Sequence, residues 1–119
     1  METTKRMDPI VKAKWVAALR SGAYGQGTGQ LRDGNEYCCL GVLCDLRGPQ
    51  DWVPSNYGNG FAYAYDPCAD MPPGFMKEWA GLDWDNVLVE IDGRRDTLNE
   101  HNDNGRTFAE IADAIEEQL

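Results

Sequence analysis

The chain has 119 residues, of which 42% are hydrophobic and 26% charged, the balance of a folded globular protein rather than of a disordered one. Its length suits one domain with a genuine core, and its formal net charge of −9 disfavours direct binding to nucleic acid phosphate. The opening METTKRMDPIV has no apolar run fit for a signal peptide, and no later run suffices to cross a bilayer, so the expectation is a cytoplasmic protein that does not engage membranes.

In chain order, Asp8-Pro9 is a helix-start signal, and Val11, Trp15, Ala18 and Leu19 follow at helical spacing before Gly22. This predicts an amphipathic helix over residues 9–21. The next stretch, AYGQGTGQLRDGNEY, is glycine-rich and centres on Asp33-Gly34, which predicts a hairpin over about 28–38. Residues 39–46 are apolar on nearly every side and precede Gly48-Pro49, the pattern of an enclosed helix, with a buried strand as the competing assignment.

Residues 49–74 mix prolines, glycines and aromatics and read as a long irregular loop, whose Trp52, Tyr57, Phe61, Tyr63 and Tyr65 either line a pocket or cover the core. A short helix, Phe75 to Ala80, closes at Gly81. VLVEIDGRRDTL then reads as a second hairpin turning at Asp92-Gly93, able to pair with the first. Asn102 to Gly105 reads as a turn leading into the final helix, which Thr107 and Glu110 begin with a capping box and whose apolar stripe is Phe108, Ile111, Ala112, Ile115 and Leu119. The fold class expected is α+β: a small antiparallel sheet of two hairpins packed with N-terminal, central and C-terminal helices.

The cysteines raise the question of chemistry. Cys38, Cys39, Cys44 and Cys68 lack paired C-x2-C spacing, so a zinc module is not expected, and in a reducing compartment free thiols are the default. HNDNG also fails as a calcium loop: with Gly105 at the sixth position, the twelfth would be Ile111 where a glutamate is required. No metal or cofactor is expected. A thiol enzyme would use Cys38 or Cys39 at the helix start, His101 as base, Asp103 or Asn102 to orient it, and Gln26 as an oxyanion donor, in the Gln, Cys, His order of papain-like hydrolases. The opposing reading makes the cysteines small core hydrophobes.

The glycines of YGQGTGQ match neither phosphate-loop signature, yet with Arg20 and Arg32 flanking them they could clamp an anion. The candidate ligand-binding set is Arg20, Tyr24, Gln26, Arg32, Trp52 and Tyr57. Charge is uneven: residues 1–48 hold seven Lys/Arg and five Asp/Glu, whereas residues 49–119 hold four and fifteen, a surface suited to basic protein partners or simply to solubility.

The segments KWVAALRSGAYGQGTGQLR, YCCLGVLCDL, WAGL and NDNGRTFAEIADAIE together resemble a group of short, uncharacterised proteins of tailed phages and prophages over roughly half the chain. A more distant similarity is to small bacterial domains of unknown function with a glutamine-glycine pair, a cysteine-glycine-alanine helix and a terminal asparagine-aspartate turn. Neither brings a catalytic residue. The resemblance implies an accessory protein acting inside an infected bacterium. The expectation is a non-enzymatic binder of a host component, either sequestering an anionic nucleotide-like ligand or capping a basic host protein surface, for instance in a defence system. The alternatives are a cysteine-dependent hydrolase or transferase, and a virion or assembly component; a homo-oligomer is compatible with each.

Overall fold

The computed structural model describes residues 7–54, 60–63 and 72–119. Helices α1 (Pro9–Arg20), α2 (Cys39–Arg47), α3 (Phe75–Ala80), α4 (Leu98–Asp103) and α5 (Phe108–Gln118) enclose most of the core. A five-stranded sheet holds β1 (Gly25–Gln26), β2 (Arg32–Asp33), β3 (Glu36–Tyr37), β4 (Trp52–Pro54) and β5 (Gly60–Tyr63), in the order β1-β3-β2-β5-β4. A separate ribbon pairs β6 (Val89–Ile91) with β7 (Arg94–Asp96). The architecture is α+β.

Three details depart from expectation. The second hairpin does not join the first, and the larger sheet is mixed, because β1 runs parallel to β3. The stretch expected as an irregular loop holds a short 3-10 turn and two strands, with β5 pairing both β4 and β2. Asn102 and Asp103 belong to α4 rather than to a turn; only Asn104 and Gly105 leave the helix, Gly105 at φ 92°. Thr97 explains this helix, since its hydroxyl accepts from the Glu100 N–H.

The remaining elements follow their signals. The Asp8 carboxylate accepts from the N–H groups of Ile10 and Val11, with Pro9 in the first turn. At Thr107 the capping box is closed in both directions, and Asp92 and Gly93 both take positive φ, as a two-residue hairpin turn requires. Helix α5 lays Phe108, Ile111, Ala112 and Ile115 against α1, and Trp15 donates its indole N–H to the Cys39 carbonyl at 2.9 Å, locking α1 onto the start of α2.

Helix α2 is buried from Cys39 through Cys44, as an enclosed helix should be. Its glycine has a specific reason. A Cβ on Gly41 would sit 1.9 Å from the Leu31 carbonyl oxygen, and that same oxygen accepts from the Cys38 N–H, so the helix start and the residue that leads into β2 approach too closely for any side chain at position 41.

Candidate functional site

Helix α4 turns His101 and Asn102 into the interior, where both are fully buried. Asn102 Oδ1 accepts from Gln26 Nε2 at 3.0 Å and from the Cys39 N–H at 3.2 Å, while its Nδ2 donates to the Gly27 carbonyl at 2.8 Å. Gln26 completes the hub: Nε2 also donates to the Arg106 carbonyl, and Oε1 accepts from the Phe108 N–H, satisfying a first-turn donor of α5. Asp103 fastens the glycine loop by accepting from the Gly29 N–H at 3.0 Å. The loop expected to clamp a ligand is thus itself clamped by α4, and Gln26 is committed to internal bonds.

The thiol arrangement does not assemble. His101 Nε2 lies 2.8 Å from the Val89 carbonyl oxygen, which can only accept, so the ring donates to β6 through that nitrogen. Its Nδ1 is buried without a partner among the described residues. The Cys39 thiol donates to the Leu98 carbonyl at 3.6 Å, and Cys38 Sγ accepts from the Gly41 N–H. Burial pushes Cys38 up to about 11 and Cys39 well above its ordinary value, with Asp103 adding a negative charge that opposes both thiolates. Cys44 is raised by burial as well. Asp103 therefore orients the glycine loop rather than the histidine, and the geometry favours the core reading of Cys38, Cys39 and Cys44.

The anion-binding candidates separate into two places. Arg20 reaches across from α1 to Asp113 and Glu116 of α5, at 2.6 and 2.9 Å, and contributes nothing to the glycine-loop region. Tyr24, Arg32 and Trp52 do come together, on one face of the larger sheet. The register makes this so: Arg32 lies opposite Tyr37 on one side and Phe61 on the other, and Trp52 lies opposite Tyr63. Tyr57, Tyr65 and Cys68 lie outside the described residues.

This face is a run of edge-to-face aromatics, Tyr24 to Tyr37 at 5.0 Å, Tyr37 to Trp52 at 6.0 Å and Trp52 to Tyr63 at 5.0 Å between ring centroids. Asp45, at the end of α2, holds the run from behind: its two oxygens accept from the Tyr24 hydroxyl at 2.6 Å and the Trp52 indole N–H at 3.0 Å. Burial, reinforced by Asp45, raises Tyr24, and burial raises Tyr37, so these phenols remain neutral donors at physiological pH. The Tyr63 hydroxyl donates to the Gly48 carbonyl.

Over this face stands Arg32, half-buried, with its guanidinium carbon 4.2 Å from the Phe61 centroid, 5.2 Å from Tyr37 and 5.5 Å from Trp52. Its Nε donates to the Gly34 carbonyl at 2.8 Å. Among the described residues no carboxylate pairs with it or with Arg95, whereas Arg20, Arg47, Arg94 and Arg106 each have at least one. Tyr37 and Asp45 were not singled out from sequence. Asp45 had a signal, as the one charged side chain in the otherwise apolar CCLGVLCDL.

The fold and this face define a small α+β domain in which an arginine is presented on an aromatic sheet surface, and among the described residues no cluster of His, Cys, Asp and Glu is fit to hold a metal. The chain belongs to the family described as a domain of unknown function, DUF8296, which matches residues 7–119. No curated protein and no solved structure matches it. No helix among the described residues is long and apolar enough to cross a membrane.

Proposed function

We propose that this protein is a non-enzymatic accessory protein of tailed phages and prophages that binds an anionic, nucleotide-like host molecule on the aromatic face around Arg32. The observation that carries the reading is the state of Arg32: half-buried, stacked among three rings, bonded to Gly34 through Nε only, and without an anionic partner among the described residues. A guanidinium so placed offers its terminal N–H groups to a phosphate or carboxylate in a fixed plane. The half-buried Tyr37 and Trp52 offer rings against which a base can stack.

The resemblance to phage proteins supports the setting, and the engagement of both thiols and of His101 in internal hydrogen bonds weighs against the hydrolase reading. Capping of a basic protein is less well supported, because much of the acidic surface already serves the chain's own cations: Asp113 and Glu116 pair with Arg20, Asp83 and Asp85 with Lys77, and Asp92 and Glu110 with Arg106.

A thermal-shift panel of mono- and dinucleotides tests the proposal. A ligand present at a hundred times its Kd adds about 2.7 kcal/mol of stability, a shift of several degrees for a domain of this size. One member of the panel should produce that shift in the native protein and lose it in Arg32→Ala. A panel without effect, or a shift unchanged in Arg32→Ala, overturns the reading.

A further inference from the structure

The charges around Arg32 limit what the aromatic face can accept. Residues 21–76 supply every strand of the larger sheet together with α2, and they hold two cations, Arg32 and Arg47, against six carboxylates, Asp33, Glu36, Asp45, Asp51, Asp66 and Asp70. Arg47 is engaged elsewhere, paired with Asp51 at 3.2 Å and lying over the Phe75 ring. The segments 55–59 and 64–71, which flank β5 in the chain, contain no Lys or Arg. Among the described residues of this stretch, Arg32 is thus the one cation left for the face.

Asp45 meets the same indole as Arg32. Its Oδ1 accepts from the Trp52 N–H at 3.0 Å, and the Arg32 guanidinium carbon lies 5.5 Å from the centroid of that side chain's ring. The Tyr37 phenol feels both charges: burial and then Asp45 raise it, and Arg32 lowers it. A carboxylate in the last turn of α2 is opposed by the helix dipole, and no cation pairs with Asp45 among the described residues, so its charge acts on the rings that it holds. Asp33 and Glu36, register partners and both exposed, add negative charge on the opposite side of the same strands.

We infer that the ligand of this face is a nucleotide with a single negative charge, a phosphodiester rather than a terminal monophosphate or triphosphate, and that Asp45 is the residue that enforces the choice. The inference rests on the nucleotide reading given above and narrows it. One guanidinium neutralises one charge; every further charge on the ligand meets the surrounding carboxylates with no cation to offset them. A phosphodiester carries one charge, a phosphomonoester carries most of a second near neutrality, and a triphosphate carries more again. Trp52 and Tyr37 supply stacking that is indifferent to the ligand's charge, so the base is held equally in all three and the phosphate decides.

Isothermal titration calorimetry of the full chain tests this, with the cyclic monophosphate, the monophosphate and the triphosphate of adenosine and of guanosine, in EDTA so that no metal ion masks the triphosphate. For the preferred base the affinity falls in that order, about tenfold from first to last. Asp45→Asn isolates the charge: the amide oxygen still accepts from the Trp52 N–H, and the amide NH2 donates to the Tyr24 hydroxyl, which turns to accept. This variant narrows the gap to about threefold, whereas Arg32→Ala abolishes binding of all three. A triphosphate bound as tightly as the cyclic ester, with binding still lost in Arg32→Ala, overturns the inference and leaves the nucleotide reading in place. A gap unchanged in folded Asp45→Asn overturns the assignment of Asp45. The native series decides the ligand class by itself, whatever the stability of that variant, and a chain that binds none of the six overturns the inference together with the reading beneath it.

Discussion

Asn102 and Arg32 are both polar side chains set among apolar neighbours, and they stand in opposite states. Each polar atom of the Asn102 amide has a protein partner, and those partners tie together α2, α4, the glycine loop and, through Gln26, the start of α5. Among the described residues Arg32 has one such bond, from Nε, and its half-buried guanidinium lies over aromatic rings. Burial with full satisfaction is the signature of a group that specifies the fold; partial burial with unsatisfied charge is that of a group available to something else. Both regions sit beside the same helix α2, with Gly41 and Cys39 at the structural end and Asp45 at the aromatic end.

Substitutions should therefore fall unequally on the two regions. The largest effect belongs to Gly41→Ala, since its Cβ would meet the Leu31 carbonyl at 1.9 Å and that backbone is itself held by Cys38. A loss of about 3 kcal/mol or more is expected in urea unfolding, enough to compromise expression at 37 °C. Asn102→Ala comes next: it orphans the buried Cys39 N–H and the Gly27 carbonyl, a cost of about 3 kcal/mol read as a lower denaturant midpoint at constant slope. Thr107→Ala, which opens the capping box of α5, should cost about 1 kcal/mol by the same measurement. Arg32→Ala should cost less than about 1 kcal/mol, because only cation–π contacts and one hydrogen bond at a half-exposed site are lost.

Acidification offers a gentler probe. Asp96, first through the Arg94 guanidinium, and Glu110, first through the Thr107 N–H, are held below the usual carboxylate range in the folded chain. A carboxylate favoured as the anion on folding contributes stability above its unfolded pKa and loses it as pH falls through the lower folded value. Stability is accordingly flat with respect to these groups near neutrality and declines from about pH 4 downward. Glu110→Gln should reduce the steepness of that decline in acid-unfolding curves, and Arg32→Ala should not.

Much of this division was legible in the sequence and some was not, for physical reasons. The helices α1, α2 and α5 announce themselves through caps and apolar period, and the Asp92-Gly93 turn through its dihedral demands. Helix α4 carries the same Thr-x-x-Glu signature at Thr97 and Glu100 as α5 does at Thr107, but six residues are too short to show a stripe, and the hairpin before it absorbed its first residues. The β1-β3, β2-β5 and β4-β5 pairings involve two or three residue pairs each, too few for an alternation to show, and β2 meets β5 across the whole of α2, so no local pattern encodes them. For the same reason the grouping of Tyr24, Arg32 and Trp52 could be guessed from the residue types, but not the commitment of Gln26 to the interior or of Arg20 to α5. Those depend on which partner each long side chain reaches once the helices pack.

The contrast between the two regions can be read in one heteronuclear NMR titration with whichever nucleotide stabilises the protein. The account predicts that the Arg32 Nε–H and Trp52 Nε1–H resonances move with ligand, while the Asn102 side-chain amide and the Trp15 Nε1–H, bonded to Cys39, stay where they are. Movement confined to Asn102 and Trp15, with Arg32 and Trp52 unmoved, would contradict it.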